Sequence, residues 1–170
     1  MDLPEILKMQ FGGEIADIRT YSPLALAYIG DGIYDLVIRT LIVRHGSCQP
    51  NKLHKRTSAL VKASAQSALI DKLMDKLTEE ELAVYKRGRN AKSYTMAKNA
   101  TMKDYRKATG FEALMGYLYL QGETERLVSL VREGLGNDWT EEKKEEDRAK
   151  RSEEHTSEPS HSKISYAVFC

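Results

Sequence analysis

Three observations predict an all-α fold. Apolar residues recur at three- and four-residue steps along most of the chain. No alternating run surrounds an Asn-Gly or Asp-Gly pair in the way a hairpin requires. Helix-opening caps also precede the periodic stretches: Ser22-Pro23, Thr78 with Glu81, and Thr101 with Asp104.

The first secure helix starts at Pro23 and runs to about Arg44, with Leu24, Ala27, Tyr34, Val37, Ile38 and Leu41 on its apolar side. Within it Gly30 and Gly32 flank Asp31, and each glycine costs about 1 kcal/mol relative to alanine in a helix interior. Glycines at that cost predict close approach by another element. A second helix is expected from about Asn51 to Leu77, with Leu53, Thr57, Leu60, Val61, Ala65, Ala68 and Leu73 as its stripe. On another face of it, Lys52, Lys55, Lys62 and Gln66 fall near one another. Thr78 and Glu81 open a short helix expected to stop at Gly88, followed by a basic loop from Arg87 to Asn99. Thr101 opens the helix that carries Glu112 and ends near Gly122. A last helix, Glu123 to Leu135, buries Leu127, Leu130, Val131 and Leu135.

One domain is expected over 21–136, preceded by an N-terminal extension (1–20) and followed by a charged tail (137–170) whose composition predicts disorder. Inside the tail, RSEEHTSEPSHSK resembles a translated sequencing adapter, so its histidines and acids carry no functional weight. No apolar run approaches the roughly 20 residues of a membrane span and no signal peptide opens the chain, which predicts a cytoplasmic protein. Cys48 and Cys170 are read as free thiols. His45, His54, His155 and His161 lack zinc-site spacing, and zinc is not supported.

The net charge of +1 conceals a basic middle. Pro50 to Ala108 holds 14 Lys and Arg against 6 Asp and Glu, while the segments on either side are slightly acidic. A localised positive stretch is the footprint of a phosphate-backbone binder, and equally of a solvated helix face. Against that background stand two carboxylates in apolar surroundings: Asp31 in LALAYIGD and Glu112 in TGFEALMGYLYL. An ionised carboxylate among apolar neighbours needs a cation, a proton or hydrogen bonds, so the pair is a candidate metal or acid-base site.

With YKRGRNAK between them, LALAYIGDGIYDLVIR and TGFEALMGYLYL closely resemble Mini-ribonuclease III, the compact bacterial relatives of ribonuclease III, over roughly Tyr21 to Val131. The resemblance implies an all-helical ribonuclease III domain without a separate double-stranded-RNA-binding domain. It further implies a homodimer that cuts double-stranded RNA with Mg²⁺ and matures the precursor of large-subunit ribosomal RNA, with a ribosomal protein as a candidate partner. Asp31 matches the aspartate of the family's GD motif and Glu112 the glutamate of its EAL motif, which makes them the expected catalytic and metal-holding residues.

The chemistry suits these groups. Phosphodiester hydrolysis requires charge neutralisation at a non-bridging oxygen, hydroxide near neutral pH and a stabilised leaving oxygen, and carboxylate-held Mg²⁺ serves all three. Larger relatives carry further acids four residues before the GD aspartate and three before the EAL glutamate; here those positions are Ala27 and Thr109. This reduced pattern resembles the mini form, with water completing the shell. Asp35, one turn after Asp31, is read as an ion pair with Arg39.

Expected RNA contacts are Lys55 and Lys62 on the helix and Arg87, Arg89, Asn90, Lys92 and Lys98 in the loop, directed at phosphates and the shallow minor groove of an A-form duplex. Tyr94, Tyr105, Tyr117 and Tyr119 are read as core or dimer packing, since duplex bases are not exposed for stacking. Two other readings stay open at this level: a non-catalytic double-stranded-RNA-binding homodimer with a degenerate metal site, and a helical dimerisation protein without an RNA role.

Overall fold

The computed structural model describes residues 2–14, 16–46, 49–92, 101–139, 149 and 152–153. Among them the fold is all-helical, as periodicity and capping predict: α1 (Leu3–Phe11), α2 (Pro23–Arg44), α3 (Pro50–Val61), α4 (Ala63–Leu73), α5 (Glu79–Asn90), α6 (Met102–Leu120) and α7 (Thr124–Leu135). Short 3-10 turns lie between α1 and α2 (Ile18–Thr20) and after α7 (Asn137–Trp139). The caps act as expected: Ser22 accepts from the Ala25 N–H, Thr78 and Glu81 form a reciprocal box, and Thr101 accepts from the Asp104 N–H. A further box, Asp2 with Glu5, starts α1 in the segment read as an extension.

Helix α6 is the centre of the domain, with α2, α4, α5 and α7 packed around it. Its Phe111, Leu114 and Met115 are fully buried. Tyr34 of α2 meets Phe111 edge-on, with ring centroids 5.0 Å apart, and its hydroxyl donates to the Leu60 carbonyl at 2.9 Å. Across the other side, Arg126 of α7 donates to both carboxylate oxygens of Glu81 and to the Lys76 carbonyl, tying α7 to the start of α5.

Three expectations need correction. The helix from Asn51 to Leu77 is two helices, because Lys62 is extended (φ −63°, ψ 152°) and caps α4 with its carbonyl. The Val61 carbonyl, which a continuous helix would have bonded to Ala65, instead accepts from Gln66 Nε2 at 2.8 Å. The kink lets α3 pack on α2 while α4 turns onto α6 and α7. Consequently the inward side of α4 is Gln66, Ser67, Leu69, Ile70 and Leu73, and Ala68 is exposed.

Second, α5 does not stop at Gly88 but continues to Asn90. Gly88 is there for closeness rather than for ending the helix: a Cβ on it would lie 2.7 Å from the Ala113 Cβ and 2.9 Å from the Gly110 Cα. Third, the apolar side of α2 is centred on Leu26, Ala27, Gly30, Tyr34, Ile38 and Ile42, so Leu24 is exposed.

Candidate active site

The site is made by the crossing of α2 and α6. A Cβ on Gly30 would fall 1.7 Å from the Glu112 carbonyl oxygen, and one on Gly116 would fall 2.0 Å from the Leu26 carbonyl oxygen. The two backbones therefore touch, and only glycine permits it. Of the two glycines flanking Asp31, Gly30 meets the expected close approach, whereas a Cβ on Gly32 meets nothing within 4 Å beyond its chain neighbours and its own helix backbone among the described residues. With Gly30 seated against Glu112, the adjoining Asp31 comes within electrostatic reach of the Glu112 carboxylate.

Glu112 is partly buried, and its Oε1 accepts from Gln66 Nε2 at 3.1 Å. Burial, and then the charge of Asp31, push its carboxyl up to about 7 against the opposing pull of the Gln66 hydrogen bond. Asp31 is more exposed, and its carboxyl is also raised, first by partial desolvation and then by Asp35. Asp35 forms the expected pair with Arg39, at 2.5 Å. Neither Asp31 nor Glu112 has a Lys or Arg ion-pair partner among the described residues.

Two uncompensated carboxylates on facing helices form a donor set that suits a hard cation such as Mg²⁺, which prefers oxygen ligands and keeps several waters. Among the described residues no group of three His, Cys, Asp or Glu is assembled for a metal. The two positions that carry acids in larger relatives offer no ligand. Ala27 is buried, and the buried Thr109 hydroxyl donates to the Tyr105 carbonyl at 3.0 Å within its own helix.

The expected RNA-contact residues divide by environment. Lys55 and Lys62 are exposed, Lys62 at the α3–α4 kink itself. Arg87, Arg89 and Asn90, expected in a loop, occupy the last turn of α5, because the helix runs through Gly88. There Arg87 donates to the Tyr21 carbonyl at 3.3 Å, and Arg89 lies 5.7 Å from the Tyr85 ring centre and donates to Asn90 Oδ1 at 3.3 Å. Lys92 follows, exposed. Lys98 and Tyr94 lie outside the described residues, as do Cys48 and Cys170. Tyr119 is buried, and the partly buried Tyr117 donates to Glu80 Oε2 at 3.4 Å.

Gln66 is the site neighbour that sequence reasoning misplaced. Helical spacing put it on the basic face with Lys62, but the kink rotates it inward until it is 1% exposed. The available signal was a single long amide among small and apolar residues, ASAQSALI.

Comparison with known proteins agrees with this architecture. The family model described as the ribonuclease III domain matches residues 24–123. A protein of Clostridium tetani called Mini-ribonuclease 3 is 52% identical over 117 residues, covering 68% of this chain and 78% of that protein. Its namesake from Enterococcus faecalis is 50% identical over 117 residues, covering 68% of this chain and 89% of the relative. A crystal structure of a Fusobacterium nucleatum protein superposes with a TM-score of 0.62 at 35% identity, covering 68% of this chain and 92% of the other. On matching motifs, fold and identity together, the chain belongs to the Mini-ribonuclease 3 family of ribonuclease III domain proteins and is an endoribonuclease.

Proposed function

We propose that the protein cleaves double-stranded RNA as a Mg²⁺-dependent homodimer, each subunit cutting one strand at a site formed by Asp31 and Glu112. The observation that carries this reading is the pair of acids on the crossing helices α2 and α6, close enough for the charge of Asp31 to act on Glu112 and without a Lys or Arg ion-pair partner among the described residues. Asp31 and Glu112 would hold the ion, which when bound supplies Lewis-acid stabilisation and lowers the pKa of water for attack on the phosphodiester. Glu112 is the anchored ligand, set in the core helix and hydrogen-bonded by Gln66. Asp31 is the ligand open to substrate.

Phosphate contact falls to Lys55, Lys62, Arg87, Arg89, Asn90, Lys92 and Lys98. The exposure of Lys55, Lys62, Arg87 and Lys92 supports this assignment. Beside Asp31, α2 leaves Tyr28 (84% exposed) and Leu36 (55%) uncovered, apolar surface suited to a second copy of the chain. The substrate proposed is precursor large-subunit ribosomal RNA, with a ribosomal protein as a candidate partner and the cytoplasm as the setting. No described helix is long and apolar enough to cross a membrane.

The test is single-turnover cleavage of a duplex from that precursor by wild type and Asp31→Asn, with and without Mg²⁺, mapping the cut ends. Cleavage should need both the ion and Asp31, while RNA retention persists in the variant. Undiminished cutting by Asp31→Asn would overturn the site, and retention without cutting by wild type would favour a non-catalytic binding module.

A further inference from the structure

We infer that Gln66 is a positioning residue for Glu112, its amide bracing the carboxylate against the backbone at the α3–α4 kink; the inference rests on the metal site proposed above. Gln66 is 1% exposed, and a primary amide is retained at such a depth only when hydrogen bonds offset its lost hydration. Its Nε2 donates twice, to the Val61 carbonyl at 2.8 Å and to Glu112 Oε1 at 3.1 Å. Both partners are acceptors, so the orientation of the amide is dictated by its surroundings.

One end of this arm is set in backbone. The Val61 carbonyl is available because Lys62 leaves the helical conformation, so the kink and the grip on Glu112 depend on the same side chain. The choice of a neutral donor is consequential. A lysine or arginine would also hold Glu112, but it would cancel the charge that a divalent cation needs. Gln66 fixes one carboxylate oxygen without adding a charge that cancels its own.

The Gln66 Oε1 is itself buried and has no donor among the described residues. A water of a hydrated cation held by Glu112 would satisfy this acceptor, which suits an ion that keeps part of its hydration shell. Partners that orient metal ligands in this way are typically worth about 10- to 100-fold in metal affinity or activity.

The experiment measures Mn²⁺ affinity by electron paramagnetic resonance for wild type, Gln66→Met, Glu112→Gln and the double variant, alongside single-turnover cleavage and duplex binding. Gln66→Met should weaken Mn²⁺ binding and slow cleavage by about 10- to 100-fold while duplex affinity stays within about twofold. In the Glu112→Gln background the same substitution should change Mn²⁺ affinity by less than about twofold, since the anionic ligand that Gln66 braces is gone. Unchanged Mn²⁺ affinity in Gln66→Met, or an equal loss in both backgrounds, overturns the inference while leaving the metal reading intact. Absence of Mn²⁺ binding to wild type overturns both.

Should Gln66→Met fail to fold, the wild type decides. On Mg²⁺ titration the Gln66 side-chain amide resonances should move with the midpoint of metal binding, while those of Gln10, Gln49 and Gln121 stay still. A Gln66 amide indifferent to bound Mg²⁺ overturns the proposal.

Discussion

Substituting Gly30 with alanine tests the helix crossing on which the site depends. The new Cβ would lie 1.7 Å from the Glu112 carbonyl oxygen, 2.6 Å from its carbon and 2.7 Å from the Gly116 nitrogen. All three atoms belong to backbone, so no side-chain rotation relieves the overlap. To reach the 3.4 Å of ordinary contact, α2 and α6 must separate by about 1.7 Å at this point. Overpacking costs about 1–3 kcal/mol, and rigid neighbours put this case near the top of that range. Alanine returns about 1 kcal/mol through helix propensity, leaving a net loss of about 2 kcal/mol.

The effect on catalysis should be larger than the effect on stability, because the atoms displaced belong to Glu112 itself. A misplacement of about 1 Å commonly costs about 100-fold in rate. Urea unfolding and single-turnover cleavage measure the two effects. Gly32→Ala is the control two residues away: with no subunit atom within 4 Å of its Cβ, it should hold or raise the unfolding midpoint. A Gly30→Ala protein within about 0.5 kcal/mol of wild type, cleaving at the wild-type rate, would refute the backbone contact.

Other consequences can be checked directly. In EDTA at pH 8, Glu112→Gln should be more heat-stable than wild type by on the order of 1 kcal/mol, because it removes a partly buried charge facing Asp31; a lower melting temperature would contradict this. Arg126→Met strands the Glu81 carboxylate, which is 5% exposed, and should cost about 2 kcal/mol in urea unfolding at pH 7; a negligible change would show that the Thr78 cap alone suffices. The Arg126 hydrogen bond, opposed by burial, holds the Glu81 carboxyl below its ordinary value of 4.5. A depressed native pKa gives stability that is present above 4.5 and lost as pH falls through the lower native value. The urea-midpoint advantage of wild type over Glu81→Gln should therefore be level from neutral pH down to about 5.5 and shrink below about 4.5. For RNA, Lys55→Ala and Lys62→Ala should each reduce the slope of log affinity against log salt by about one; an unaltered slope would remove that lysine from the phosphate contacts.

The helices and their starts were legible because their causes are local. Ser22, Thr78 and Thr101 cap as their spacing predicts, and α7 buries Leu127, Leu130 and Val131 as its period requires. Endings were less legible, since Gly88 has two uses. As punctuation it would end α5; as the smallest residue it admits α6, and only the position of Gly110 and Ala113 decides between them. The single-helix reading of Asn51 to Leu77 failed for a similar reason. No proline or glycine marks Lys62, and the bend is held by a side-chain bond from Gln66.

By itself the sequence determined the all-helical class, the basic middle and the two acids worth attention, because periodicity, composition and a carboxylate in an apolar run are properties of neighbouring residues. The tertiary structure decided how those acids are used. Residues 66 and 112 lie 46 positions apart, and the contact between them depends on the α3–α4 kink and on how α4 packs against α6. Likewise, the value of glycine at 30 rather than 32 exists only once α6 is laid across α2. Local pattern specifies which faces must be covered; which atoms meet when they are covered is settled by packing between distant segments.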